Sequence, residues 1–412
     1  MPNSILTNSL IAKEALIQLE NQMVLGNLVH RGYEDEFDSK NSGYAVGSAV
    51  TIRKPPRYTL RTGAAMSLQD SVEGSVQLSV DQQMGVDLGG WTSADRTLKI
   101  PEFSERFIQP AMKTIAQGVD AAIAANYKDV WNWVGTPGTV IDSFADFGKG
   151  PQRLDEMAVP GGDRNAILSP ADNWGMIGAV SGLYVADTAK SALQKAKLPM
   201  LGGVDAYMTQ NTPTHMVGTK AGTPLVKGAA QSTTYLATKD TGTQNLDTDG
   251  WTNSSAVLKR GDVFTIAGVF AVNPVSKAQQ TYLQQFVVKA DVTAHASGGT
   301  TTVTISPPII TSGAYQTVSA VPADDAPITV LGTASTAYIQ NMAFHKNAFA
   351  LAVVPMIKPD GAVDVQRVTY KGLSVRMIPV YTGSDDTSAI RLDILLGTKS
   401  IYPDLATRLS GT

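Results

Sequence analysis

Cysteine is absent from this 412-residue chain, which excludes disulfides, zinc–thiolate sites, iron–sulfur clusters and thiol nucleophiles. Histidine occurs four times, at His30, His215, His295 and His345. No two of them stand four apart, so none pairs on a helix face as a zinc or catalytic pair would. Charge is sparse at 17%, below the ~25% usual for soluble domains. It is also balanced, with 33 Lys+Arg against 36 Asp+Glu and a net charge of −3, so general attraction to nucleic acid or an anionic membrane is not expected. Apolar residues at 43% exclude disorder of the low-hydrophobicity, high-charge kind. Long hydrophobic runs are missing too. The longest, residues 348–357, contains Pro355 and falls short of the ~20 residues a bilayer span needs. Lys13 and Glu14 break the first apolar stretch, so no secretory signal is expected and the chain reads as soluble. Glutamate disappears after Glu156, all eight lying in the first 156 residues. Because glutamate favours helices and Thr/Val-rich sequence favours strands, a helix-bearing first third and a β-rich remainder are expected.

What is present follows two periods. Ile11, Ala15, Leu19 and Met23 recur every four residues, predicting an amphipathic helix over 9–24 with Ser9 as cap. Val50 and Ile52, then Val72, Val76, Leu78 and Val80, then Val86 and Leu88 alternate at period two, predicting an extended ribbon over 46–90 broken by Pro55-Pro56. A two-stranded ribbon is marginal alone in water, so it must lie on something, in this chain or a neighbour. Ile108, Met112, Ile115, Val119, Ile123, Tyr127, Val130 and Val134 have a mean spacing of about 3.7, close to the helical 3.6, and predict one long helix over 104–134. Helices over 152–158, 170–180 and 187–195 alternate with strands over 165–168 and 203–208, as in an α/β or α+β layer. Residues 217–342 carry only 14 charged residues in 126. Short β-rich runs there, such as Val263–Ile266, Phe286–Val288 and Thr302–Ile305, predict a small barrel or sandwich inserted into a host fold. Strands over 374–380 and 389–395 resume that fold.

Motifs that could carry chemistry are few. Asn245, Asp247, Asp249 and Gly250 look like the front of a calcium loop, but its twelfth position would be Ala256, where a bidentate glutamate is required; the stretch is read as a polar turn. Arg260-Gly261-Asp262 reads as a glycine turn leading into a strand. Asp324-Asp325 and Asp385-Asp386 read as turn carboxylates. No phosphate-cradling glycine loop, nucleophile elbow or zinc-histidine pair occurs. No catalytic, metal or cofactor-binding residue is expected. The charged feature that stands out is Arg53, Lys54, Arg57 and Arg61 between the ribbon arms. Nucleic-acid binding would want interleaved aromatics and a basic chain. An acidic patch on a neighbouring copy is the alternative, and Glu34, Asp35, Glu36 and Asp38 form such a patch.

Lack of chemistry, a long ribbon, a long helix and an inserted β-module together fit a shell subunit. The stretches LENQMVLGNLVHRGYEDEF, GSAVTIRKPPRY, RNAILSPADNWGMI, LKRGDVFTIAGVFAVNP, LQQFVVKADVTA, TTTVTISPPII, AFHKNAFALAVVPM and RLDILLGTKSIYPDLATRL resemble, in this order, the major capsid proteins of tailed bacteriophages, specifically P22-type coat proteins with an insertion domain. The resemblance implies an α+β fold of the HK97 type. Its parts would be an N-terminal arm at 1–45, an E-loop at 46–100 and the spine helix of the peripheral domain at 101–138. An axial domain would follow at 139–216, an inserted β-barrel at 217–342 and the return to the shell fold at 343–412. It further implies self-assembly of pentamers and hexamers into an icosahedral shell around double-stranded DNA, bound without sequence specificity. A scaffolding protein and a portal would be partners, no membrane or cofactor would be involved, and assembly in the bacterial host cytoplasm would precede residence in the virion. An encapsulin-like nanocompartment shell and a β-rich carbohydrate-binding or adhesion protein are the alternatives.

Overall fold

The computed structural model describes residues 8–33, 49–66, 68–92, 104–181, 198, 200–382, 384 and 387–412. The acidic stretch Glu34 to Asp38, the helix expected over 187–195 and the pair Asp385-Asp386 lie outside them. The chain divides into two compact units, the first drawing on residues up to Val50, Gln77–Ala124 and Phe349–Lys399, the second on Thr51–Val76, Ala125–Ala348 and Ser400–Thr412.

In the first unit the helix Asn8–Gln22 buries Ile11, Ala12, Ala15, Leu16 and Leu19, the four-residue stripe read from the sequence. It packs on the helix Gln109–Ala124 and on the strands Gln366–Tyr370 and Leu373–Thr382. Those two strands, with Thr387–Ser400 and Phe349–Val354, form a sheet to which Gln82–Thr92 adds as a further partner of Thr387–Ser400. Val86 and Leu88, expected in the ribbon, therefore sit in this sheet, opposite Leu392 and Ile390. Asp120, 2% exposed, ties the segment after the first helix to the long one by accepting from the Val24 and Gly26 amides, each at 2.9 Å. Asp120→Ala leaves those buried donors unpaired at ~1–3 kcal/mol each. It is expected to destabilise this unit by about 2–4 kcal/mol and to speed amide exchange at residues 24–26.

The long helix is shorter than its apolar period. It begins as a π-helical turn over Ser104–Ile108, is α-helical over Gln109–Ala124 and tightens to a 3₁₀ turn over Ala125–Asp129. Residues 130–134, which continue the helical spacing, leave it: Trp133–Val134 is a strand paired in parallel with Arg408–Leu409. Sheet hydrogen bonds and burial of Trp133 at 2% exposure outweigh weak helix propensity at the end of a run.

The second unit holds a five-stranded mixed sheet in the order Trp133–Val134, Ala406–Leu409, Asn341–His345, Arg164–Leu168, Asp205–Met208. The helices Phe144–Glu156 and Pro170–Ser181 contribute buried Phe147, Leu154, Met176 and Ile177 to the core it shares. The same unit contains a six-stranded antiparallel sheet in the order Ile328–Val330, Val263–Val272, Gln279–Val288, Thr301–Ser306, Gln244–Trp251, Gly222–Val226. Its two outer strands also meet. A bridge joins Leu225 to Pro327, and Val226 donates to the Ala326 carbonyl at 3.0 Å and accepts from the Asp325 amide at 2.9 Å, so the sheet closes into a barrel. Val226, Leu246, Phe264, Phe286, Val303 and Ile305 fill it. The stretch read as a turn at Asn245–Gly250 is in fact barrel strand. Asn245 and Asp247 are the outward positions of an alternating strand and accept from the hydroxyls of Thr304 and Thr302 across the ladder.

Candidate assembly site

The ribbon strands Ala49–Lys54 and Gly74–Ser79 pair with each other, and the basic cluster sits where the first strand runs out. Lys54 holds its ammonium 5.2 Å from the centroid of the Tyr402 ring. Burial keeps its pKa below the ordinary lysine range, an effect Asp404 partly opposes. Arg57 pairs through Nη2 with Asp404 Oδ2 at 2.8 Å. Lys54 and Arg57 thus converge on one carboxylate of the C-terminal segment. Arg53 and Arg61 are not part of that group. Arg53 stands 3.7 Å from Glu73 with 82% of its side chain exposed, and Arg61 closes its own turn by donating to the carbonyls of Gly63 and Ala65.

Further contacts hold the ribbon from residues that sequence reading did not single out. Tyr315 Oη accepts from the Arg57 amide at 2.9 Å and donates to the Val72 carbonyl at 3.0 Å. Asp240 Oδ1 accepts from both the amide and the hydroxyl of Ser75, at 3.0 and 2.8 Å. Gly74 lies so close that a Cβ would stand 2.5 Å from the Lys239 carbonyl oxygen and 2.7 Å from Tyr235 Oη. Beyond this root the tip is closed by Gln69, whose side-chain amide accepts from the Thr59 amide and donates to the Thr59 carbonyl, both at 2.8 Å. Leu60, Met66 and Leu68 are 93%, 79% and 86% exposed there. Three large apolar side chains are thus exposed within nine residues of one tip, the kind of grouping that marks interaction surfaces.

The second concentration of polar groups is buried, where the barrel meets the five-stranded sheet. Asp262, 1% exposed, accepts from the Lys259 and Gly218 amides through Oδ2 and contacts His215 Nε2 through Oδ1 at 2.8 Å. The other ring nitrogen of His215 is 3.1 Å from Tyr127 Oη. Arg408, fully buried, donates to the Gly261 carbonyl at 2.8 Å and lies over the rings of Tyr127 and Trp133. Burial pushes its pKa down to about 10, against the neighbouring Tyr127, Asp262 and Asp129. Trp133 exchanges two backbone bonds with the Gln285 amide group. These groups hold one part of the unit to another. Two further nitrogens of the Arg408 guanidinium, Nε and Nη2, are buried without a hydrogen-bond partner. Among the described residues no set of three or more His, Asp or Glu side chains is placed to hold a metal ion, and no described helix is long and apolar enough to cross a membrane.

The model of the family described as P22 coat protein, gene protein 5, matches residues 3–411. A major capsid protein of Acyrthosiphon pisum secondary endosymbiont phage 1 is 25% identical over 333 residues, 78% of each chain. Among solved structures, one from Mycobacterium phage Che8 is 14% identical with a TM-score of 0.46, covering 95% of this chain and 92% of that one. The CUS-3 coat protein I-domain is 30% identical over 27% of this chain and 95% of its own, with a TM-score of 0.20. A family match reaching from residue 3 to residue 411 decides the matter: the chain, whose fold mixes helices and sheets as an α+β protein does, belongs to the P22 coat protein family and is a structural capsid protein of a phage virion rather than an enzyme.

Proposed function

We propose that copies of this chain assemble, in the bacterial host cytoplasm, as pentamers and hexamers of an icosahedral shell that encloses double-stranded DNA. A scaffolding protein guides the process and a portal occupies one vertex. The observation that carries the reading is the ribbon: its root is fastened to its own chain while its tip presents Leu60, Met66 and Leu68 to solvent. Obligate interfaces are large and apolar, and a closed tip of exposed leucines is suited to bury itself in a neighbouring copy. Within this reading residues 1–45 are the arm, 46–100 the E-loop, 101–138 the spine segment, 139–216 and 343–412 the shell fold and 217–342 the inserted barrel. A near-neutral chain also suits a container, because strong binding to phosphates would hinder packing and release of DNA. Negative-stain microscopy of the expressed chain, with and without a scaffolding partner, is the test. Shells or sheets are expected, and discrete small species under both conditions would sink the reading.

The basic cluster serves the same assembly in two ways. Lys54 and Arg57 secure the root, whereas Arg53, exposed beside Glu73, and Arg61, held on carbonyls of its own turn, exchange those local contacts for Glu34, Asp35, Glu36 and Asp38 of a neighbouring copy. Exposed ion pairs are individually worth ~0.2–1 kcal/mol. Arg53→Glu with Arg61→Glu is therefore expected to slow assembly several-fold, and to slow it less as salt screens the repulsion. Light scattering at two ionic strengths reads this out; salt-independent kinetics equal to those of the parent would remove the charge complementarity. Arg57→Glu also breaks the pair with Asp404, so its defect is expected to persist at high salt.

A further inference from the structure

We propose that the barrel aims the ribbon, with Tyr315 as the positioning residue that holds the two ribbon arms together and sets where the tip points. The inference rests on the reading of the tip as an assembly contact and adds how that contact is made ready.

Three observations carry it. The first is the place of the Tyr315 hydroxyl. Tyr58 Oη and Ser71 Oγ are 2.5 Å apart, and Thr59 is bonded to Gln69, so the arms run antiparallel with 58 beside 71. One step towards the root, residue 57 stands beside residue 72. In an uninterrupted ladder the Arg57 amide and the Val72 carbonyl would serve each other. Here a phenol from the barrel stands between them, accepting from Arg57 and donating to Val72. One barrel side chain is thereby a rung of the ribbon ladder.

The second observation is that this phenol is itself fixed. The Tyr315 and Tyr235 rings stack with centroids 3.3 Å apart and 4° between planes. Stacking on a second ring confines a tyrosine that already has only two rotatable side-chain bonds, so its hydroxyl is delivered to one position. The third is that an adjacent rung is gripped from the same side of the barrel. Asp240 takes both donors of Ser75, and Gly74 is seated against Lys239 and Tyr235 without room for a Cβ. Two successive points on one arm and a bridge across both arms define a direction, which one contact would not. Fixing the ribbon before it meets a neighbour lowers the ordering cost of association.

The test exploits the absence of cysteine. Ala64→Cys at the exposed turn of the tip gives a single attachment point for a spin label in the full-length protein. In this background Tyr315→Phe keeps the ring stack and removes the rung. The label is expected to become several-fold more mobile, the Arg57 amide to exchange about tenfold faster (one lost hydrogen bond), and the thermal midpoint to stay close to that of the parent. Assembly, followed by light scattering, is expected to slow about tenfold or more, by the same single-bond scale. Ser75→Ala, a milder change at the other grip, is expected to move the same readouts in the same order and less far, and it keeps the test open if Tyr315→Phe folds poorly. Unchanged label mobility in both variants overturns the proposal. Increased mobility with unchanged assembly also overturns it, and leaves the tip reading standing on its own variants at Leu60 and Leu68. Loss of assembly with unchanged mobility assigns Tyr315 to a direct contact between copies and equally ends the aiming role.

Discussion

Asp262→Ala is expected to destabilise the second unit by about 3–5 kcal/mol, the range found when one partner of a buried charged network is removed. The carboxylate is 1% exposed and serves three donors, the amides of Lys259 and Gly218 and the imidazole of His215. Truncation strands all three where water does not reach them. It also removes a nearby negative charge from Arg408, whose guanidinium is already held at a cost by burial. At 1.4 kcal/mol per tenfold, the unfolding equilibrium moves by roughly two to three and a half powers of ten. Asp262→Asn separates hydrogen bonding from charge. An asparagine oxygen at the Oδ2 position keeps both backbone donors, and its amide nitrogen then faces His215 Nε2. The imidazole answers by exchanging tautomers, accepting at Nε2 and donating from Nδ1 to Tyr127 Oη, now 3.1 Å away. The expected loss is therefore only about 1 kcal/mol. Urea titration followed by tryptophan fluorescence compares the two, since Trp131 and Trp133 lie in the core beside this joint. Equal losses for alanine and asparagine would mean that the charge facing Arg408, and not the three acceptor bonds, is what Asp262 supplies.

This network shows where sequence reading stops. Its members come from residues 127, 215, 262 and 408, four places joined by no spacing, and His215 carries no local sign of its role. Asp262 was legible as the end of a glycine turn leading into a strand, and the strand does begin at Val263. That its side chain also receives the amide of Gly218 depends on two distant chain segments crossing. The periodic elements behaved differently. The stripe Ile11, Ala15 and Leu19 is buried as one helix face, and Val303 and Ile305 point into the barrel as alternation requires, because a helix or strand face is decided by local period. Val130 and Val134 kept the helical period but left the helix, and Val134 went with Trp133 to a sheet edge, where pairing with residues 408 and 409 was on offer; a period of apolar residues says which side is buried and not by what. The basic cluster divides for the same reason. Nothing local distinguishes Arg57, which finds Asp404 347 positions away, from Arg53, which stays largely exposed beside Glu73 on the other ribbon arm. The barrel could be read as β-rich, but its grip on the ribbon through Tyr315 and Asp240 depends on loops whose composition is ordinary.

Leu60→Ser with Leu68→Ser is expected to raise the threshold concentration for assembly at least about a hundredfold while leaving the subunit's own stability nearly unchanged. The two halves of that expectation come from the same numbers. At 93% and 86% exposure neither leucine is buried within its own chain, and substitutions at such positions usually change folding stability by less than ~0.5 kcal/mol. If the tip is buried in a neighbour, each leucine gains ~1.5–3 kcal/mol there, so losing both removes about 3–6 kcal/mol from each contact, of which some is recovered because the serines remain solvated until contact is made. Leu60 follows Thr59 and Leu68 precedes Gln69, the two residues whose bonds close the tip, and Met66 extends the same exposed segment. Preorganisation raises their value, since a tip already closed by Gln69 loses little further freedom on docking. Gln69→Ala should therefore reproduce part of the assembly defect without touching an apolar atom. Sedimentation at a series of subunit concentrations measures the threshold, and thermal unfolding of the unassembled protein supplies the control. A doubly substituted protein that assembles at the parent's threshold would mean that the tip stays in solvent in the finished shell, and the contact between copies would have to be sought elsewhere on the subunit.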